Sequence, residues 1–295
     1  MSEAARAGGV LPLLVATDLD ASLLDAVTYR WDRARPALRA LASRRARLVL
    51  CTSKTRAETA AIASELEAAA PPALVVENGG ALVVPVPDLE RPPEGARRDG
   101  GEWVVALGAP RAALAAALDE IARETGGALR GFAALETEEI ERLTGLDRVA
   151  ARRAAQRDHD EPVLIEGGEE AALRVAAAAA RRGLRLVQGG RFHHLTGDTD
   201  KGRALGVLLR LHAAEGRRFT TIGLGDAPTD LSFLEIVAHP VLVPGPGGLD
   251  PVLAAALPAA ERAPAPGPAG WNAAVLDLLA RLERTAIPPR EPATR

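Results

Sequence analysis

The chain is short of several residue types, and each shortage excludes a class of protein. It has one cysteine, Cys51, which excludes a disulfide scaffold, a cysteine-rich zinc site and a paired-cysteine redox centre. Its 36 lysines and arginines are outnumbered by 39 acidic residues, so no basic surface is expected for nucleic acid or an anionic membrane. The apolar runs are too short or too alanine-rich to span a bilayer, and no signal peptide is recognised.

A cytoplasmic globular protein is therefore expected, with 295 residues forming one large domain or two modest ones. The sequence leaves its oligomeric state open. Among its 36 basic residues only two are lysines, Lys54 and Lys201. An arginine can replace a solvated lysine, but it cannot replace a compact ammonium in a tight pocket. Both lysines are therefore candidate functional residues.

Apolar runs alternate with stretches of helical periodicity, which is typical of an α/β fold with a doubly wound parallel sheet. The pattern is clear in residues 1–84 and 192–295, which we expect to form a core. Residues 85–191 are expected to form an inserted α+β domain. In that insertion residues 85–101 are rich in proline, glycine and charge and read as a linker, and residues 103–107 read as its first strand.

Polar clusters follow the predicted strands or open the predicted helices, at residues 18–22, 52–55, 200–202 and 225–230. The carboxyl ends of parallel strands meet at one edge of a sheet, where ligands bind. Each cluster taken alone is also compatible with a turn or a helix cap. Together they supply carboxylates, hydroxyls and lysine. That set suits phosphoryl transfer to a carboxylate with Mg²⁺ cancelling the repulsion between anions.

The order of these clusters resembles the motifs of the haloacid dehalogenase superfamily of phosphatases. The resemblance implies a Mg²⁺-dependent core with an inserted α/β cap. It implies that Asp18 is the nucleophile and Asp20 the acid/base. Phosphate contacts fall on Thr52 and Lys201. The metal site would be formed by Asp18, Asp20, Asp226 and Asp230.

Longer strings narrow the resemblance: SKTRAE at residues 53–58, ENG at 77–79, GGRF at 189–192 and GPAGWN at 267–272. With residues 156–157 and 160–162 they resemble the mannosyl-3-phosphoglycerate phosphatase family. That resemblance implies hydrolysis of mannosyl- or glucosyl-3-phosphoglycerate to the free glycosylglycerate, a compatible solute. The implied substrate-binding residues are Ser53, Lys54, Asn78, Arg157, Glu161 and Arg191.

Three alternatives stay open: a phosphatase for another sugar phosphate, a phosphomutase, and a phosphometabolite binder without turnover. The chain also departs from the family pattern at two places. Ala21 stands where a glycine is usual, and we expect a negative φ that tolerates its methyl group. Thr229 stands where asparagine occurs, which we expect to reduce metal organisation without abolishing it. His193 and His194 are read as a partly buried strand-end pair, with substrate contact as the alternative.

Overall fold

The computed structural model of the chain describes residues 11–189 and 192–286. The strands in these ranges are β1 Leu13–Thr17, β2 Arg47–Cys51, β3 Ala73–Val76, β4 Ala81–Pro85, β5 Arg97–Asp99, β6 Glu102–Ala106, β7 Leu129–Gly131, β8 Asp160–Ile165, β9 Arg185–Gln188, β10 His193–Thr196, β11 Thr220–Gly225, β12 His239–Leu242 and β13 Glu261–Arg262. The helices are α1 Arg35–Ser43, α2 Arg56–Ala63, α3 Arg111–Thr125, α4 Thr137–Thr144, α5 Arg148–Ala155, α6 Gly168–Ala180, α7 Lys201–Ala214, α8 Leu231–Leu234, α9 Pro251–Ala256 and α10 Gly267–Ala286. Within the described ranges no helix has the length and apolarity needed to cross a membrane.

The larger sheet has the order β13-β12-β11-β1-β2-β3-β4-β6-β5. Its first six strands run parallel, which confirms the predicted α/β class. Side chains of β1 are buried on both faces, as expected for a central strand covered by helices on each side. One face packs against α1 and α10, and the other packs against α7 and α8.

The last helix of the described chain reaches the end of the central strand. The Trp271 side chain is fully buried, and its indole N–H donates to Thr17 Oγ1 at 2.9 Å. The Thr17 hydroxyl in turn donates to the carbonyl oxygen of Asp18 at 2.8 Å. Asn272 Oδ1 accepts the backbone N–H of Ala37 at 2.9 Å, in the first turn of α1. The GPAGWN string therefore anchors α10 to β1 and α1.

The larger sheet extends further along the chain than the sequence indicates. After β3 the chain turns back, so that β4, β6 and β5 add three antiparallel strands. The segment read as a linker contains β5, and the strand expected in the insertion is β6 of the larger sheet. The reason is that β5 is a charged edge strand, whose composition looks like that of a loop.

A smaller antiparallel sheet has the order β7-β8-β10-β9. Helices α3 and α6 pack on it through a cluster that includes Leu114, Ile121 and Val175. Its central strand β10 falls in the region that the sequence assigned to the core. Sheet membership thus changes after β6 and again after β10, whereas the sequence analysis placed the domain boundaries at 84/85 and 191/192. We call the segment from α3 to β10 the cap.

Buried hydrogen bonds join the turn after β3 to the cap segment that precedes β8. Glu77 is buried, and its carboxylate accepts the backbone N–H groups of Asp158 at 3.0 Å and His159 at 2.7 Å. A further contact with the cap comes from the loop after β2, where Thr55 Oγ1 donates to the carbonyl of Arg153 at 2.9 Å. The turn itself has three consecutive positive φ values, 52°, 56° and 89°, at Glu77 and the two residues after it. Its unusual backbone is fixed by these contacts to the cap.

The turn after β1 also differs from the expectation for Ala21. Its φ is +59°, in the left-handed region, where a negative value was expected. A β-carbon in this region lies too close to the following carbonyl, at a cost of roughly 1–2 kcal/mol. The tight reversal between Asp20 and Ser22 imposes this conformation, so Ala21 carries backbone strain that glycine would avoid.

We expect Ala21→Gly to raise the free energy of unfolding by about 0.5–1 kcal/mol, because relief of the strain exceeds the entropy that glycine adds to the unfolded chain. Denaturant titration of both proteins measures this change. Ala227→Gly is the matched control, since Ala227 has a φ of −122° and its substitution should not stabilise. A lower free energy of unfolding for Ala21→Gly would contradict the inference that Ala21 carries backbone strain.

A second prediction concerns Glu77, whose pKa is raised to about 7 by burial, against the lowering effect of Arg157 and the backbone N–H donors. A carboxyl with a raised pKa stabilises the fold at low pH and loses this contribution as pH rises towards its folded pKa. Glu77→Gln removes the titration but keeps an acceptor oxygen. Between pH 5 and pH 8 we expect the stability of the variant to increase relative to wild type by about 1–3 kcal/mol.

The measurement is denaturant unfolding of both proteins across that pH range. All other groups titrate in both proteins, so the difference isolates Glu77. Parallel stability profiles for the two proteins would show that Glu77 does not take up a proton on folding.

Candidate active site

A cavity of about 960 Å³ lies at the carboxyl ends of the parallel strands, with the smaller sheet forming its opposite wall. This is the edge at which an open α/β sheet binds ligands. Eight residues predicted from sequence line the cavity: Asp18, Asp20, Ser53, Lys54, Asn78, Arg157, Lys201 and Asp226. The structure therefore brings most of the predicted site together.

Lys201 lies at the floor of the cavity between two carboxylates. Its Nζ is 2.7 Å from Asp18 Oδ1 and 2.6 Å from Asp230 Oδ1. Burial opposes the ammonium charge, but the two carboxylates outweigh it and raise the pKa of Lys201. Burial raises the pKa of Asp18 well above its usual value, although Lys201 opposes the shift. Asp18 thus lies among excess negative charge that the single lysine only partly neutralises.

The loop after β11 is held in shape by Asp230. Its Oδ2 accepts the backbone N–H groups of Asp226 and Ala227, both at 3.0 Å. Gly225 leaves space for this carboxylate, because a β-carbon there would lie 2.6 Å from the Asp230 β-carbon. Both oxygens of Asp230 are therefore engaged within the protein, one with Lys201 and one with the loop.

Asp226 projects into the cavity from this loop. Its Oδ1 accepts the Ser22 hydroxyl at 2.9 Å, and burial followed by the charge of Asp230 raises its pKa to about 7. Oxygens of Asp18, Asp226 and Asp230 lie within 4.8 Å of one another. Such hard oxygen ligands in excess over positive charge fit a divalent cation like Mg²⁺.

Asp20 and Lys54 form an ion pair at the side of the cavity. Lys54 Nζ lies 2.9 Å from Asp20 Oδ1 and 5.1 Å from the centre of the Tyr29 ring. Burial would lower the pKa of Lys54, but Asp20 and Glu58 outweigh it and raise the pKa. Both rare lysines of the chain thus lie in the cavity wall with their charge stabilised by aspartate.

Thr52 is placed behind the wall. It is fully buried, does not line the cavity, and its Oγ1 accepts the backbone N–H of Lys54 at 3.1 Å. The next residue, Ser53, does line the cavity, and its carbonyl accepts Arg157 Nη1 at 3.1 Å. Thr52 therefore shapes the loop that presents Ser53 and Lys54.

Glu161 is not brought to the cavity with the other predicted residues. Its side chain is buried, one oxygen lies 2.6 Å from Arg111 Nε, and the other accepts the Ala133 backbone N–H at 2.6 Å. These contacts face α3 and the turn after β7, inside the cap. Arg191, also predicted to bind substrate, lies outside the described residues.

Sequence reasoning missed Asp160 and undervalued His194. The Asp160 carboxylate is fully buried and lies 2.8 Å from His194 Nδ1 and 2.8 Å from Asn78 Nδ2. His194 lines the cavity from β10 as a buried side chain. Phe132 and Phe192 also line it, as an edge-to-face pair whose ring centres are 4.9 Å apart. The available signal was the position of Asp160 directly before Glu161 in a family string.

Solved structures share this architecture, although no family model matches the chain. A haloacid dehalogenase-like hydrolase from Bacteroides thetaiotaomicron matches with a TM-score of 0.61 and 17% identity, over 93% of this chain and 99% of that one. The sucrose-phosphatase from Synechocystis, solved with sucrose and phosphate, matches with a TM-score of 0.58 and 13% identity, over 93% and 99%. At these identities the likeness concerns the fold alone, and it confirms the predicted haloacid dehalogenase-like class with a cap.

Two curated relatives match nearly the whole chain, and both are named glucosyl-3-phosphoglycerate/mannosyl-3-phosphoglycerate phosphatase. The protein from Methanococcoides burtonii is 36% identical over 269 residues, which cover 91% of this chain and 97% of that protein. The protein from Persephonella marina is 31% identical over 281 residues, covering 92% and 99%. The resemblance inferred from the sequence strings is confirmed. The chain belongs to the glucosyl-3-phosphoglycerate/mannosyl-3-phosphoglycerate phosphatase family.

Proposed function

We propose that the protein hydrolyses mannosyl-3-phosphoglycerate, glucosyl-3-phosphoglycerate or both, releasing phosphate and the glycosylglycerate through an aspartyl-phosphate on Asp18. The observation that carries the proposal is the contact of 2.7 Å between Asp18 and the buried Lys201, at the floor of a cavity large enough for such a substrate. A carboxylate can attack a phosphoryl group only where nearby positive charge offsets the repulsion.

The positions of the other residues support the roles that we assign to them. Lys201 offsets charge on Asp18 and on the phosphoryl oxygens. Asp20 gives a proton to the leaving oxygen and later takes one from the attacking water. The ammonium group of Lys54 lies 2.9 Å from Asp20 and holds the Asp20 carboxylate in position in the cavity wall. Asp230 positions both Lys201 and the Asp226 loop through its two engaged oxygens.

Mg²⁺ is the cofactor that suits this site. The carboxylates of Asp18 and Asp226 and the backbone oxygen of Asp20 would hold it, whereas Asp230 acts from behind because its oxygens are already engaged. The cation supplies charge neutralisation and polarises the phosphoryl oxygens. The raised pKa values of Asp18 and Asp226 fit this assignment, because they report carboxylates that lack a sufficient positive partner.

Beyond the phosphoryl group, the substrate carries a carboxylate and a sugar. Arg157 lines the cavity beside Ser53 and suits the carboxylate, as does Arg191 by its place in the GGRF string. Ser53, Lys54 and Asn78 complete the proposed contacts. Glu161 supports Arg111 within the cap instead. A multiply charged substrate does not cross membranes unaided, so we also propose that the enzyme works in the cytoplasm on this small molecule.

The proposal is tested by phosphate release from mannosyl-3-phosphoglycerate, glucosyl-3-phosphoglycerate and a panel of plain sugar phosphates, with Mg²⁺ or with a chelator. We expect kcat/KM to be about 100-fold or more higher for the glycosyl phosphoglycerates, since a polar site rejects ligands that leave its groups unpaired. We expect no turnover with the chelator. Equal kcat/KM values across the panel would support the phosphatase chemistry but contradict the proposed substrate.

Asp18→Asn should lower kcat by about 10³-fold or more while the melting temperature stays close to wild type, because the amide cannot attack the phosphoryl group. Stopped assays of phosphate release measure the rate. Asp198→Asn is a matched control, since this exposed aspartate pairs with Arg203 and lies outside the cavity lining. Wild-type turnover by Asp18→Asn would remove Asp18 as the nucleophile.

A further inference from the structure

Asp160 joins three side chains of the cavity wall that come from different parts of the fold. Its carboxylate lies 2.8 Å from His194 Nδ1, 2.8 Å from Asn78 Nδ2 and 3.1 Å from Arg157 Nη1. Asn78 follows β3 of the larger sheet, whereas Arg157 and His194 belong to the cap. Asp160 itself has no exposed surface and does not line the cavity. It therefore cannot contact a ligand and acts only through these neighbours.

The carboxylate determines which ring nitrogen of His194 is available. Burial alone would raise the pKa of Asp160, but His194, Arg157 and the Asn78 hydrogen bond outweigh it and lower the pKa. An ionised carboxylate only accepts hydrogen bonds, so Nδ1 of His194 must carry the proton. In the neutral ring this leaves Nε2 as an acceptor.

The surroundings of Nε2 leave it open. Gly189 lies beside it, and a β-carbon at that position would come within 2.6 Å of Nε2. Glycine therefore leaves this edge of the ring uncovered, in the same part of the cavity wall. Among the described residues none makes a hydrogen bond to Nε2. His194 lines the cavity, and its Nε2 is not a buried atom, so a ligand in the cavity can supply the donor that this nitrogen accepts.

A chain of contacts from the Ser53 loop through Arg157 and Asp160 to His194 indicates which part of the substrate His194 meets. Arg157 contacts the Ser53 carbonyl, on the loop next to the proposed phosphoryl position. Asp160 and then His194 follow on the cap side. Phosphate at Asp18 and carboxylate at Arg157 would place the remaining, polyhydroxylated group against His194 and the Phe132–Phe192 pair. An apolar ring face beside a hydrogen-bond acceptor is the chemistry that suits a sugar.

We propose that Asp160 is a positioning residue that fixes the His194 ring so that Nε2 accepts a hydrogen bond from a hydroxyl of the substrate's glycosyl group. The inference rests on the proposed function, because it assigns the sugar subsite of that same cavity. It makes His194 a residue that distinguishes glycosylated from bare phosphoglycerate and assigns no role in the chemical step.

The test compares the affinities for two ligands in the Asp18→Asn background, which cannot turn them over. Calorimetry gives Kd for mannosyl-3-phosphoglycerate and for 3-phosphoglycerate, which lacks the sugar. We expect His194→Gln and Asp160→Asn each to weaken binding of the glycosylated ligand by about 10- to 100-fold. In His194→Gln the binding of 3-phosphoglycerate should change by less than about twofold, because its carboxylate and phosphate contacts remain. Asp160→Asn also loses the ion pair with Arg157, so it should weaken the binding of both ligands, and of the glycosylated one more.

The double variant Asp160→Asn/His194→Gln tests whether Asp160 acts through His194. Its loss of affinity for the glycosylated ligand should be no greater than that of Asp160→Asn alone, since Asp160→Asn already removes the contact that positions His194. With Asp18 restored, the same variants should raise KM for the glycosylated substrate and leave kcat within about twofold. Additive losses or a fall in kcat would overturn the positioning role.

Asp88→Asn and His212→Gln are matched controls. Asp88 is a buried aspartate paired with Arg47, and His212 is a buried histidine packed on Phe219; neither lines the cavity. Both should alter the melting temperature and leave the ratio of the two Kd values unchanged. If Asp160→Asn fails to fold, His194→Gln alone decides the sugar contact.

The possible failures are distinguishable. If the Asp18→Asn protein binds both ligands equally, the proposed substrate and this inference are both overturned. If the Asp18→Asn protein prefers the glycosylated ligand and the His194→Gln and Asp160→Asn variants keep this preference, only the inference is overturned.

Discussion

The ion pairs of Lys201 with Asp18 and Asp230 are the interaction on which the site depends. One buried ammonium meets two carboxylates that come from opposite ends of the chain, after β1 and after β11. Removing the lysine would leave two buried carboxylates without a positive partner, which costs several kcal/mol, roughly 3–5. Replacing one aspartate by its amide leaves the ammonium paired with the other. The same contacts hold the lysine where a phosphoryl group would need its charge, so stability and chemistry are supplied by one arrangement.

The cap is attached to the core by polar contacts that are buried instead of exposed. Glu77 accepts backbone N–H groups from the cap, and Asn78 donates to Asp160 across the same junction. A buried hydrogen bond between parts that would otherwise separate specifies their relative orientation, since breaking it leaves unpaired groups. The wall that faces Asp18 is therefore built from the core and the cap together. This explains why residues distant in the sequence, such as Lys54 and Phe192, line one cavity.

Much of this could be predicted from the sequence, for physical reasons. The parallel strands are short apolar runs ending in polar residues, so the edge that carries Asp18, Lys201 and Asp226 follows from the order of the clusters. The edge strand β5 was not predicted because its charged residues resemble those of a loop. The left-handed φ of Ala21 and the inward turn of Glu161 escaped because they depend on neighbours distant in sequence. The importance of Asp160 was not predicted for a related reason, since a contact with a histidine 34 residues away leaves no local pattern in the sequence.

The contact of Trp271 with Thr17 has a consequence for how the protein is made. Thr17 precedes Asp18 and donates to its carbonyl, so the end of β1 is completed by an indole encoded more than 250 residues later. A ribosome delivers the strand long before the helix that secures it. Asp18 and Asp20 therefore follow a strand whose end lacks this contact until α10 has been synthesised and packs against it. Pairings between such distant segments form slowly. Packing of α10 therefore completes the end of β1 only after nearly all of the described chain has been made.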